Sequence, residues 1–138
     1  MEHSRLSWLV LISVYLLSPA FVCAQPRVYV TNEKSDEVTV IDSSSDTVVA
    51  TIKVGQRPRG VVVSPDNKRV YTANGNSNDI SVIDTEKNSV IDTIPAGEDP
   101  EGIVMNPDGT KIYVVNENGG ELLVISPSTK EILNRIAV

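Results

Sequence analysis

Cysteine, histidine, tryptophan and phenylalanine occur once each in 138 residues. All four, Cys23, His3, Trp8 and Phe21, fall within the first 24 positions. The remainder, Gln25–Val138, therefore has no disulfide to rely on. It also offers no zinc or haem ligation of the ordinary kinds, no thiol catalysis and no Ser–His–acid set. Its only aromatics are Tyr29, Tyr71 and Tyr113, so aliphatic packing has to hold the fold. Glu2 and Arg5 cancel, which leaves the whole net charge of −6 on this segment. With no basic stripe, phosphate neutralisation is unavailable, and nucleic acid is not an expected partner. No segment sustains a 3.6-residue period, so no helix is expected beyond the N-terminal segment, nor a Gly-rich phosphate loop leading into one.

The first 24 residues read as a segment apart from the fold. Leu6–Leu17 is an apolar stretch broken only by small polar residues, Ser18-Pro19 ends it, and Val22-Cys23-Ala24 offers a small residue at a cleavage edge. This is the pattern of a secretory signal peptide cleaved before Gln25, and it implies a periplasmic or secreted protein. An uncleaved anchor would need about 20 apolar residues to span a bilayer, more than this run supplies. Lipid attachment at Cys23 fits poorly, because Val22 is not small. Nothing after the signal segment is long and apolar enough to cross a membrane.

What is present is a repeat. A 42-residue unit starts at Arg27, Arg69 and Lys111, giving copies 27–68, 69–110 and 111–138. All three copies share a Tyr at position three and an Asn at position six, and copies one and two also share a V-I-D run, a G-x-x-P-x-G turn and an S/N-P-D turn. Four short β-runs per copy at this period is the pattern of propeller blades. Eleven strands are expected, at Val28–Asn32, Val38–Asp42, Thr47–Val54, Gly60–Ser64, Val70–Asn74, Asp79–Asp84, Ser89–Ile94, Glu101–Asn106, Ile112–Asn116, Glu121–Ser126 and Glu131–Val138. Val61–Val63 and Ile103–Met105 are continuously apolar, as in a strand covered on both faces. The V-I-D runs are closer to alternation and suit half-buried strands. Thr47–Val54 and Ser89–Ile94 mix polar and apolar residues, as an outer edge would. Ser64-Pro65-Asp66-Asn67 and Asn106-Pro107-Asp108-Gly109 place Pro and Asp for tight turns, each followed by a residue that tolerates positive φ.

Tyr29-Val30-Thr31-Asn32 is the namesake tetrapeptide of the YVTN family of β-propeller repeats, and Tyr71–Asn74 and Tyr113–Asn116 resemble degenerate copies of it. The flanking V-x-V-I-D, V-G-x-x-P-x-G and S-P-D elements match as well, so the resemblance covers all of 25–138. Gly55-Gln56-Arg57-Pro58-Arg59-Gly60, followed one repeat later by Glu98-Asp99-Pro100-Glu101, is similar to secreted propellers associated with PQQ-dependent (quinoprotein) alcohol catabolism in bacteria. The resemblance implies an all-β propeller of four-stranded antiparallel blades. It places the continuous apolar strand nearest the axis, then the Tyr strand, the V-I-D strand and the outer strand. Members of the family are usually complete seven-bladed rings, whereas this chain carries about three blades, the first without its innermost strand. The Trp-docking repeats of quinoprotein dehydrogenase propellers are absent, so the chain is not expected to be a quinoprotein enzyme or to carry a cofactor.

The copies disagree most sharply in charge. Arg57 and Arg59 stand where the next copy has Asp99 and Glu101, with Glu98 adjacent. The family geometry implies one face near the axis for these loops. They are either a mouth that binds a charged ligand or docks a protein, with Arg as anion clamp, or an interblade ion-pair set that fixes register. Asp42 and Asp84 recur at the repeat period, which favours capping of turn N–H groups over paired-carboxylate catalysis. Asn32, Asn74 and Asn116 are periodic too and read as blade mechanics. A cation site at Asn74, Asn76, Asn78 and Asp79 lacks the acidic count of an EF-hand, and no metal or catalytic residue is assigned.

The expectation is a non-catalytic binding or scaffold module, accessory to quinone-cofactor-dependent alcohol oxidation. The alternatives are the N-terminal part of a larger propeller enzyme, lactonase-like or haem-bearing, and a self-assembling structural or surface protein. An open arc leaves both end faces bare, so self-association or marginal folding is also expected.

Overall fold

The computed structural model describes residues 26–138, and the signal segment read at 1–24 lies outside them. Eleven strands form three antiparallel sheets among the described residues. The first sheet holds β1 (Arg27–Asn32), β2 (Glu37–Asp42) and β3 (Thr47–Lys53). The second runs β4 (Pro58–Val63), β5 (Arg69–Asn74), β6 (Asp79–Asp84) and β7 (Ser89–Pro95). The third runs β8 (Pro100–Met105), β9 (Ile112–Asn116), β10 (Glu121–Ile125) and β11 (Ile132–Ala137). The sequence repeat and the blade are thus offset by one strand. The fourth strand of each copy pairs with the Tyr strand of the next, as Val62↔Tyr71 and Val104↔Tyr113, so the first sheet has three strands. The architecture is the expected partial propeller. β4 and β8 begin two residues and one residue earlier than expected, at Pro58 and Pro100, with a bulge just inside each.

The sheets stack face to face, and the pleat decides what each face carries. On the middle sheet Tyr71, Ala73, Ile80 and Val82 pack with Ile103, Ile112, Val114, Leu123 and Ile125 of the third. Its other face sends Val70 and Ile83 against Val38, Val40 and Ile52 of the first. The second sheet is therefore buried on both sides. Its V-I-D strand is buried from Ile80 to Asp84, whereas alternation had suggested a half-buried strand. The polar member of that alternation, Ser81, and Thr72 beside it on β5 lie in the interface at 1% and 0% exposure. Both are bonded there, Thr72 Oγ1 donating to the Gly60 carbonyl at 3.1 Å and Ser81 Oγ accepting from the Gly55 N–H at 3.1 Å.

The continuously apolar strands differ from one another. β4 packs Val61 toward the first sheet and Val62 toward the third, and only its end, Val63, is open at 37% exposure. β8 turns Ile103 into the core, but its other face meets no further blade among the described residues, and Val104 is 59% exposed. The outer strands β3 and β11 are mostly exposed, and β7 mixes exposed with half-buried residues. The tight turns also have the expected backbone. Asn67 and Gly109 adopt φ of 58° and 75°, and their N–H groups donate to Ser64 and Asn106 carbonyls.

Packing on both faces of the middle sheet sets the mutational cost. Ile80→Ala, at a fully buried position between blades two and three, should lower stability by about 2–5 kcal/mol. Leu133→Ala, 52% exposed on β11, should change it by no more than about 0.5 kcal/mol. Urea titration of the two variants measures the contrast. Equal losses would mean that blade stacking is not the core.

Candidate functional site: the charged loop end

Antiparallel order brings the loops 33–36, 54–57, 75–78, 96–99 and 117–120 to one end of the arc. Three of them turn within a blade, and 54–57 and 96–99 cross from one blade to the next. The crossing residues Arg57 and Asp99 both take left-handed backbone, with φ of 57° and 54°, a conformation few non-glycine residues adopt. Two-sided bonding holds them there. The Arg57 N–H donates to Asp36 Oδ1 in blade one at 2.8 Å, and its carbonyl accepts from the Gly75 N–H in blade two at 2.9 Å. One repeat on, the Asp99 N–H donates to Asn78 Oδ1 at 3.0 Å, and its carbonyl accepts from the Glu117 N–H at 3.1 Å. Asp36 and Asn78 themselves have positive φ, which short polar side chains tolerate.

The side chains then bridge the crossings. Arg57 Nη1 donates to Asp99 Oδ1 at 2.8 Å, its Nε to Glu33 Oε1 at 3.2 Å, and its Nη2 lies 3.5 Å from Glu101 Oε1. Arg59 Nη1 bonds Glu101 Oε1 and lies 4.0 Å from Glu117 Oε2, and its Nη2 reaches Glu33 at 3.5 Å. Residues at identical repeat positions thus meet because their charges are opposite. Of the five residues singled out in the sequence, Arg57, Arg59, Asp99 and Glu101 come together. Glu98 is exposed and enters no ion pair among the described residues. Sequence reading missed Glu33 and Glu117. Their signal was position: each follows the repeat's Asn directly, in the loops that face Arg57 and Arg59.

Charge counting decides what this cluster can do. Two guanidinium groups face four carboxylates, so neither Arg is left open as an anion clamp, and surplus acid remains. Glu33 and Glu117 carry it outward, with side chains 51% and 58% exposed. Hydrogen bonding from Arg57, with the field of Arg59, holds the Glu33 carboxyl below its ordinary pKa. Asp99, Glu101 and Glu117 each offer an oxygen within 4.8 Å of the others, but Arg57 and Arg59 already donate into Asp99 and Glu101, so a cation would have to displace them.

The periodic residues are blade mechanics. Asp42 accepts the Ser44 and Ser45 N–H groups at 2.8 and 3.3 Å, and Asp84 those of Glu86 and Lys87 at 3.0 and 2.9 Å. Asn74 donates to Asp79 and Ser81 at 2.6 and 2.9 Å, and Asn78 Oδ1 accepts the Asp99 N–H, so Asp79 and Asn78 are already engaged by bonds that hold the loop. Asn32 donates to Thr39, seven residues on, as Asn74 does to Ser81. In the third copy that position is Leu123, and Asn116 turns instead to the Ala96 carbonyl at 2.9 Å. This close approach requires Gly97, whose φ is 76° and whose added Cβ would strike the Asn116 amide. A hollow of about 230 Å³ lies at the opposite end between blades two and three, beside Asp66, Arg69, Tyr71, Met105 and Asp108. It includes none of the charged-end residues.

The stacked four-stranded antiparallel sheets and their crossing loops define a β-propeller protein. Residues 19–132 match the family model described as "Lactonase, 7-bladed beta-propeller", and the chain belongs to that family. Comparison with curated proteins gives no match. Among solved structures, the Kuenenia stuttgartiensis hydrazine synthase is similar at a TM-score of 0.77 and 27% identity, over 81% of this chain and 32% of that one. Dihydro-heme d1 dehydrogenase NirN, solved in complex with DHE, is similar at a TM-score of 0.69 and 20% identity, over 81% and 24%. A functionally unknown protein from Desulfotomaculum acetoxidans DSM 771 is similar at 0.70 and 17%, over 80% and 38%. The chain therefore spans between a quarter and two fifths of the length of these structures, and the two below 25% identity bear on the fold alone.

The capped carboxylates set the acid response. Backbone N–H groups from Lys87 and Ser44 hold Asp84 and Asp42 below their ordinary values. A depressed folded pKa contributes stability that is complete above the unfolded value, near 4, and lost as pH falls through the folded one. The urea midpoint should therefore stay level down to about pH 5 and fall below about pH 4. Asp84→Asn should lower the midpoint at neutral pH and flatten part of the acid limb. An acid limb identical to the parent's would show that Asp84 does not titrate in this way.

Proposed function

We propose that this protein is a secreted or periplasmic, non-catalytic propeller module that docks a cationic protein surface at its charged loop end. The observation that supports this reading is the ion set itself. Arg57 and Arg59 are consumed by interblade pairing, so what faces outward is Glu33, Glu98 and Glu117. Charge complementarity of this kind steers encounter and favours basic partners. The YVTN-type repeats and the Gly55–Gly60 loop, similar to those of propellers associated with PQQ-dependent alcohol catabolism, suggest that the partner is a quinone-cofactor alcohol dehydrogenase. Self-association belongs to the same reading. Val28 and Val30 on the first sheet, and Val115 on the third, are 40–47% exposed on faces that further blades would cover in a ring.

Family membership favours a second reading, hydrolysis of a lactone by a larger propeller of which these blades are part. Lactone opening needs a group that activates water or stabilises the developing oxyanion. In this chain the carboxylates at the charged end would have to serve, beside two guanidinium groups already bonded to them.

The two readings separate experimentally. Binding to a poly-lysine peptide and to a quinone-cofactor alcohol dehydrogenase, measured by titration calorimetry, should weaken with salt and weaken further in Glu33→Gln/Glu117→Gln. Incubation with δ-gluconolactone should give no ring opening above the spontaneous rate. Lactone turnover that disappears in Asp99→Asn or Glu101→Gln would replace the docking reading with the hydrolytic one.

A further inference from the structure

The chain contains two Asn-Gly dipeptides, Asn74-Gly75 and Asn118-Gly119, and the fold treats them oppositely. Asn-Gly is the sequence most prone to succinimide formation, because glycine leaves its own amide nitrogen free to approach the Asn side chain. Asn74 is fully buried, and the Gly75 N–H is held by the Arg57 carbonyl at 2.9 Å. Attack at Asn74 would require breaking the blade crossing. Asn118 and Gly119 are both exposed, and the Gly119 N–H makes no hydrogen bond among the described residues. Asn118 is anchored only through Nδ2, which donates to Asp99 Oδ2 at 2.9 Å. That bond holds the nitrogen that would leave, and it leaves the carbon that would be attacked uncovered.

We infer that Asn118 is a site of spontaneous deamidation that adds negative charge to the blade-crossing ion set. The Gly119 nitrogen attacks Asn118 Cγ and the N–Cγ bond forms. The Cγ–Nδ2 bond breaks, and ammonia departs with the former Gly119 amide proton. Water then opens the imide to aspartate or isoaspartate. The product replaces a donor to Asp99 with a carboxylate beside Asp99, Glu101 and Glu117, which already outnumber their cations. Asp99 is the buried partner of Arg57, so the new repulsion falls on the contact that ties crossing one-to-two to crossing two-to-three. This inference is independent of the docking reading, because its readouts are covalent chemistry and folding.

Ageing the full chain at mildly alkaline pH and mapping its peptides by mass spectrometry tests the site. Asn118 should show the amide-to-acid mass gain and an isoaspartyl isomer roughly tenfold or more faster than Asn74, whose attack needs local opening. Asn118→Asp should lower Tm by about 4 °C or more, and concentrated salt should recover part of the loss. Asn118→Ser, which loses the donor without adding charge, should lose less. Conversion of Asn74 at the same rate, or Asn118→Asp melting with the parent at low salt, would overturn the inference. The ageing arm uses the unaltered chain, so the inference stays testable even if Asn118→Asp fails to fold.

Discussion

One backbone device fixes the relation between the blades. At each crossing a residue in left-handed conformation gives its N–H to the blade behind and its carbonyl to the blade ahead. Arg57 does this between Asp36 and Gly75, and Asp99 between Asn78 and Glu117. Neither residue is glycine, so the conformation costs about 1–3 kcal/mol and persists because both sides bond it. With the crossing pinned, Pro58 and Pro100 enter their edge strands at one height. The sheets then stack with Val70 and Ile83 toward one neighbour and Tyr71, Ala73 and Val82 toward the other.

The charge pattern follows from that geometry. Successive crossings set positions 57 and 99 within reach, as they do 59 and 101. Like charges there would repel, and the copies diverge to Arg in one and acid in the next. Hydrogen bonds from charged donors draw Glu33 in from blade one, while Glu101 and Glu117 contribute from blade three. The set spans three blades and turns a row of nearest-neighbour contacts into one connected cluster. The surplus acid faces solvent, and the proposed docking function rests on that surplus.

Much of the fold was legible because the repeat states it several times over. All eleven strands and the turn residues Asn67 and Gly109 follow from short-range chemistry recurring at a fixed period, whereas the offset between repeat and blade was implied by the resemblance to YVTN propellers. Burial was less legible. Alternation in Ile80-Ser81-Val82-Ile83 suggests one wet face, but stacking on both sides buries Ser81, which accepts from the Gly55 N–H of the preceding crossing. The apolar run at Ile103–Met105 suggests two covered faces, but Val104 lies on an edge strand's open side. Periodicity describes a strand's own faces and is silent about which neighbours cover them. The charged site was half legible. Arg57, Arg59, Asp99 and Glu101 stood out as a disagreement between copies, whereas Glu33 and Glu117 have no contrast of that kind and become visible only when the loops converge.

The central claim is that Arg57 and Asp99, one repeat apart, are energetically coupled across the blade crossings. A double-mutant cycle tests it most directly, using Arg57→Asn, Asp99→Asn and the pair, since Asn tolerates the left-handed backbone at both positions. If the account holds, the double variant loses clearly less stability in urea than the two singles added together, and the difference shrinks in high salt. Additive losses, unchanged by salt, would contradict it.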